Sequence, residues 1–161
     1  MKYLQLQKDF LTLIDNANIK NKGHKVMHDF DEETGIYGIS DGYRIYFIQK
    51  ERMFIDTSKT KHLDLTKLYT EKGQERLEFT NTIKESDKNK YRLLKTDKFK
   101  VWVNDKFFKY FDKDLTTYKG SGSLSPVLCY ERTVDDRDKL VGILLPIRSM
   151  DDEWYTWTTK N

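Results

Sequence analysis

The stretch Phe99-Lys-Val-Trp-Val-Asn104-Asp-Lys-Phe-Phe-Lys-Tyr-Phe111 carries two periodicities in succession. Phe99 to Val103 alternates as a strand does, and Asn104 then supplies a side-chain oxygen able to accept from an unpaired amide in a first helical turn. The spacing after it predicts a helix with Phe107, Phe108, Phe111 and Leu115 on one face. Lys106, Lys109 and Lys113 fall on the opposite face, three and four residues apart. Downstream, Leu115 to Lys119, Pro126 to Arg132 and Lys139 to Ile147 read as strands, separated by Gly120-Ser-Gly-Ser and the charged turn Val134 to Asp138. The expected order is strand, helix, strand, strand, strand.

The beginning of the chain repeats that order. Leu6, Phe10, Leu13, Ile14 and Ala17 form the stripe of an amphipathic helix over about Gln7 to Asn18, ending near Asn21 to Gly23. Lys25 to Phe30 reads as a strand, Asp31 to Gly35 as a polar turn, and Ile36 to Ile48 as a hairpin turning at Asp41-Gly42. The expected fold is therefore α+β: one domain of two βαβββ units related by a pseudo-twofold, with helices on one side of a curved antiparallel sheet. The first unit spans residues 1-55 and the second 98-148. Residues 56-97 form an embellished connection, with a short helix at Asp64 to Thr70 and strand-like runs at Arg76 to Ile83 and Tyr91 to Leu94. Residues 149-161 are a tail containing Trp154, Tyr155 and Trp157, read as a strand with one sticky face. No Pro-rich or Gly/Ser-rich linker divides the units.

A chain of 161 residues suits one domain with a real core, and with 37% hydrophobic but 14% aromatic residues that core must lean on Tyr, Phe and Trp. No run is apolar for long enough to span a membrane, and no signal peptide is evident. The single cysteine, Cys129, lies in an apolar run and reads as a buried strand thiol, so a cytoplasmic location is expected. Net charge is +3, yet residues 88 to 113 hold nine basic against three acidic side chains. His24 and His28 stand four apart in what reads as loop and strand, His62 stands alone, and Asp29 to Glu33 lacks the ligand spacing of a calcium loop. No phosphate loop or dinucleotide fingerprint is present. A non-enzymatic protein without cofactor or metal is the expectation.

Three segments carry a resemblance: Val103-Asn-Asp-Lys-Phe-Phe-Lys-Tyr-Phe, Ser123-Leu-Ser-Pro-Val-Leu, and the closing Ile143-Leu-Leu-Pro-Ile-Arg148. Together with Ser40-Asp41-Gly42-Tyr-Arg at the first hairpin, they resemble the final domain of the bacterial DNA polymerase sliding clamp family. This chain would supply one such domain where a clamp subunit has three, so a ring would need several copies. The resemblance implies a partner-binding half-pocket at Asn104, Phe107, Leu124, Pro126, Leu144, Leu145, Pro146 and Ile147. It also assigns Lys106, Lys109 and Lys113 to duplex DNA.

Each assignment has a plainer counterpart. The lysines suit a solvated helix face, and Phe107, Leu144 and Ile147 suit a core. The first functional expectation is a stand-alone clamp-like protein of DNA replication or its control, encoded by a phage or mobile element. It would bind duplex DNA without sequence specificity, or replication proteins, and self-associate. The second is a small protein-interaction module, decoy or adaptor, of the same fold without DNA contact. Neither involves a membrane.

Overall fold

The computed structural model describes residues 1-19 and 26-148. The turn at Asn21 to Gly23, His24 and the Trp-containing tail lie outside the described residues. Among the described residues there is one α-helix, α1 (Tyr3–Ile19), which buries Leu6, Phe10, Ile14 and Ala17 along the expected stripe and begins four residues before the expected start at Gln7. Only Met1 and Lys2 precede it, in place of the first strand that a βαβββ unit would have, and the Lys2 amide donates to the Tyr110 carbonyl at 2.8 Å.

Among the described residues ten strands follow: β1 (Met27–Asp31), β2 (Ile36–Ser40), β3 (Arg44–Gln49), β4 (Lys61–His62), β5 (Glu75–Ser86), β6 (Asn89–Lys95), β7 (Lys100–Asn104), β8 (Thr116–Gly120), β9 (Val127–Arg132) and β10 (Asp138–Leu144). They form one sheet in the order β4-β1-β2-β3-β10-β9-β8-β5-β6-β7. Every pair is antiparallel except β1 with β4, so the sheet is mixed and not purely antiparallel as expected. Two meanders, β1-β2-β3 and β8-β9-β10, meet on their last strands, where Ile143 pairs with Ile45.

The connection is less peripheral than its composition suggests. Its strand-like runs become β5 and β6, and β5 is the longest strand of the sheet. Glu75 to Leu77 pair with β8, whereas Glu78 onward pairs with β6 across a register shift between Phe79 and Ile83. The segment at Asp64 to Thr70 is a 3-10 turn, Leu65–Leu68, capped by the Asp64 carboxylate on the Thr66 amide.

The second expected helix is corrected to a single 3-10 turn, Asp105–Phe108, so helices do not recur in both units. Asn104 does cap it, accepting from the Lys106 amide at 3.2 Å. Two features stop its growth. The Tyr46 hydroxyl donates to the Phe107 carbonyl at 2.7 Å, while the Phe111 amide closes a tight turn on Phe108. Downstream, the Asp112 side chain accepts from the Asp114 amide, a local bond that competes with helix. Phe107, Phe108 and Phe111 are buried as expected, but Leu115 is exposed.

The sheet has two apolar faces. Alternation sends Tyr46, Ile48, Val127 and Cys129 toward α1, and Ile45, Leu128, Tyr130 and Ile143 to the other side. A register shift between Leu140 and Gly142 breaks the alternation in β10. There Val141 and Gly142 both face the helix side, and Gly142 leaves room for the Phe111 ring. On the second face Leu65 fills the space over Gly38, and its amide donates to the Asp29 carboxylate at 3.1 Å.

A candidate partner groove beside the closing strand

Where the chain leaves β10 it runs past the first hairpin and then past β7. The Leu145 amide donates to the Tyr43 carbonyl at 2.9 Å, and the Ile147 amide donates to the Trp102 carbonyl at 3.0 Å. Pro146 between them has no amide hydrogen, which suits a strand end. These residues form one wall of a cleft of about 700 Å³. Asn104, Lys106 and Phe107 enter it from the 3-10 turn, Asp41 and Tyr43 from the hairpin, Asn89 and Tyr91 from β6, and Leu13 from α1. Tyr43 is 67% exposed and Leu145 38%, so the cleft offers large apolar groups to solvent beside the cations Lys106 and Arg148.

The cleft floor is built on a buried cation. Arg44 is 6% exposed, and its Nε donates to the Asp41 carboxylate at 3.0 Å. Four rings surround the guanidinium: Phe107 at 4.9 Å, Phe10 at 5.2 Å, Tyr46 at 5.7 Å and Tyr110 at 5.8 Å. Planar faces and a delocalised charge make this environment tolerable for arginine. Asp41, held also by the Tyr43 amide, therefore contributes little negative charge to the cleft.

Of the residues assigned to the half-pocket, Asn104, Phe107, Leu145, Pro146 and Ile147 gather at this cleft. Leu144 is fully buried in the core beneath it. Leu124 sits in a neighbouring depression with Phe99, Trp102, Ile147 and Arg148, and Pro126 lies apart beside Leu68, Tyr69 and Leu128. Leu13, Asp41, Tyr43, Asn89, Tyr91 and Arg148 were not assigned from sequence. The Asp41-Gly42-Tyr43 turn, the closing run to Arg148 and the helix stripe with Leu13 were local signals that bore on some of them; Asn89 and Tyr91 had none beyond a strand-like run.

The lysine row does not survive as a helical face, because Lys109 and Lys113 lie beyond the 3-10 turn. Lys106 and Lys113 are exposed, and the Lys106 ammonium lies 5.9 Å from the Phe107 ring centre. Lys109 pairs with Asp9 of α1 at 2.9 Å, and the Tyr110 hydroxyl donates to the same carboxylate. The hydrogen bond to Asp9 holds the Lys109 pKa above its ordinary value. That cation is committed to fastening the turn to α1.

His62 is not isolated. It stands opposite His28 in the β1–β4 pair with ring centres 5.7 Å apart, and its Nε2 lies 3.5 Å from Asp29. The Thr60 hydroxyl lies 2.6 Å from His28 Nδ1. Burial raises the Cys129 thiol pKa well above its usual value, as suits an inert strand residue. Among the described residues no group of three or more His, Cys, Asp or Glu side chains converges as a metal site, and no helix is long and apolar enough to cross a membrane.

No protein-family model, curated protein or solved structure matches this chain.

Proposed function

We propose that the chain is a non-enzymatic, clamp-like protein-interaction module of DNA replication or its control, holding an extended apolar peptide of a partner in the cleft beside Leu145. One observation carries this reading: Asn104, Phe107, Leu145, Pro146 and Ile147, distant in sequence, line a single cleft with exposed apolar groups. The strand order supports the clamp-like part. A twofold between β3 and β10 would exchange β1 with β8, β2 with β9, and α1 with the 3-10 turn. In the clamp family such a pocket is completed by a neighbouring domain, so a second copy of this chain is the natural source of the other half. Duplex DNA ranks behind peptide, because Lys109 is spent on Asp9 and the three lysines share no helical face.

The test is selection from a displayed random-peptide library on the full chain, with Leu145→Asp as the counter-selecting variant. Leu145 is partly exposed and the hydrogen bond its backbone amide donates to the Tyr43 carbonyl does not depend on the side chain, so the variant should fold. The expected ligands are apolar peptides losing about tenfold or more in affinity on the variant, a difference of about 1.4 kcal/mol. Peptides that bind both proteins equally, alongside salt-sensitive binding of a short duplex, would replace this reading with the DNA-binding one.

A further inference from the structure

The sheet face turned away from α1 holds a cavity of about 240 Å³, bordered by the turn after β1 and by the 3-10 turn Leu65–Leu68. Its depth is apolar. Leu65 is buried over Gly38, and Ile36, Phe47, Tyr69 and Leu140 stand half-buried around it. The Phe47 and Tyr69 rings form a corner, their centres 6.2 Å apart and their planes tilted by 58°. The mouth is acidic, because Asp31 and Glu71 are the exposed charges of the lining. Among the described residues no lysine or arginine lines the cavity, although the whole chain carries a net charge of +3.

The carboxylates of the lining are not equivalent. Asp29, the least exposed, is engaged by the Phe30 and Leu65 amides and by His62. Asp31 accepts from the Glu33 amide and the Thr34 hydroxyl, and the latter bond holds its carboxyl below the usual pKa. Glu71 accepts from the Tyr130 hydroxyl at 2.6 Å through one oxygen, which leaves its other oxygen without a partner among the described residues. After burial, Glu71 and Asp31 are what raise the pKa of the Tyr69 hydroxyl, so both charges act on the cavity. Among the described residues these carboxylates belong to no cluster of three or more metal-ligating side chains, and a bare cation would leave the two rings unused. An occupant that satisfies both parts has an apolar body and one positive charge. We propose that the cavity binds a small organic amine, its apolar body on Leu65, Phe47 and Tyr69 and its ammonium left at the mouth beside Glu71 and Asp31. Sites for drug-sized ligands run to about 300–1,000 Å³, so this smaller volume suits a body of one ring. A peptide lysine has its parts in the opposite order. Entering ammonium first, it would carry its charge past the mouth to apolar walls where the only carboxylate, Asp29, is already engaged, and desolvating the charge there is costly. The inference is independent of peptide binding in the cleft, which opens on the side of α1.

Titration of the nitrogen-15-labelled full chain with phenethylamine, followed by amide chemical shifts, tests it. Saturable shifts are expected at Ile36, Phe47, Tyr69 and Leu140, with a dissociation constant on the order of millimolar as suits so small a ligand. The anion 3-phenylpropanoate keeps the ring and the stem but reverses the charge, and should bind about tenfold more weakly or worse. N-acetyl-lysine methylamide, which presents its ammonium first, should also bind more weakly than phenethylamine. Glu71→Gln retains an oxygen able to accept from the Tyr130 hydroxyl at an exposed position, so it should fold, and it should weaken the amine about threefold to fivefold. Absence of saturable shifts in the parent chain, equal binding of the anion, equal or tighter binding of the lysine derivative, or indifference to Glu71→Gln would each overturn the proposal.

Discussion

The guanidinium carbon of Arg44 lies 4.9 Å from the centre of the Phe107 ring, joining the first hairpin to the turn after β7 across 63 residues of sequence. With Asp41 as its acidic partner, this cation has little water to fall back on. Arg44→Leu strands the mostly buried Asp41 carboxylate and should cost about 3–5 kcal/mol. Arg44→Lys keeps the charge but loses the planar stack, and should fall in between. Urea midpoints at unchanged slope measure both; a loss below about 1 kcal/mol for Arg44→Leu would mean that the pair is solvated.

Gly142 and Phe111 make a second long-range fit. A methyl group at 142 would stand 2.8 Å from Phe111 Cζ and 3.3 Å from the Ile45 carbonyl oxygen. Gly142→Ala should destabilise by about 1–3 kcal/mol, and Phe111→Leu in the same chain should recover part of it. At Gly38 the obstacle is the tip of Leu65, so Gly38→Ala should cost less. The ordering of the three melting temperatures checks the argument; about 1 kcal/mol corresponds to about 2–4 °C at this size.

The histidine pair makes the β1–β4 seam acid-sensitive. Burial, then the neighbouring His62 ring, hold His28 below its ordinary pKa against the opposing pull of Asp29. The folded chain therefore binds this proton less readily than the unfolded chain. Stability is present above about pH 6.5 and declines as pH falls through and below that value. Exchange of the Leu63 amide, which donates to the His28 carbonyl at 3.0 Å, should accelerate on acidification after correction for intrinsic rates. The acceleration should vanish in His28→Phe.

The Asp9 carboxylate ties α1 to the segment after β7. Burial raises its pKa, but hydrogen bonds from Tyr110, Lys109 and Gln5 outweigh this and leave it below the usual carboxylate value. Its contribution is present at neutral pH and lost as pH falls below about 4. A double-mutant cycle of Asp9→Asn and Tyr110→Phe should give about 1–2 kcal/mol of coupling at pH 7, in the range of hydrogen bonds to charged groups. Additive losses would show that Lys109 alone makes the connection.

What was legible in the sequence followed from local chemistry. The stripe Leu6-Phe10-Ile14-Ala17 marked α1, and Asp41-Gly42 marked the β2–β3 turn, where Gly42 has φ +94°. Asn104 announced its cap correctly, but helix growth was decided by Tyr46, 61 residues away, whose hydroxyl takes the Phe107 carbonyl. β5 was read as a strand-like run over Arg76 to Ile83, but its place in the main sheet was hidden because Glu75, Arg76, Glu78, Lys84 and Glu85 make it look like part of a solvated insertion. The cleft was half visible: Asn104, Phe107 and the Leu145-Pro-Ile147 run stood out through a resemblance. Asn89, opposite Ser86, and Tyr91, opposite Asn104, arrive by strand register, which no local spacing encodes.

The insertion of β10 between β3 and β9 also orders events during synthesis. Until Leu144 has left the ribosome, β3 and β9 present open edges and the two halves of the sheet have no shared strand. The nascent chain can form α1 and its hairpins early, but the centre of the molecule closes late and all at once. Contacts of such long sequence separation slow folding and prolong the exposure of sticky edges. A chain stalled before residue 138 should therefore remain a protease-sensitive client of chaperones, whereas release beyond residue 144 should allow the whole sheet to lock.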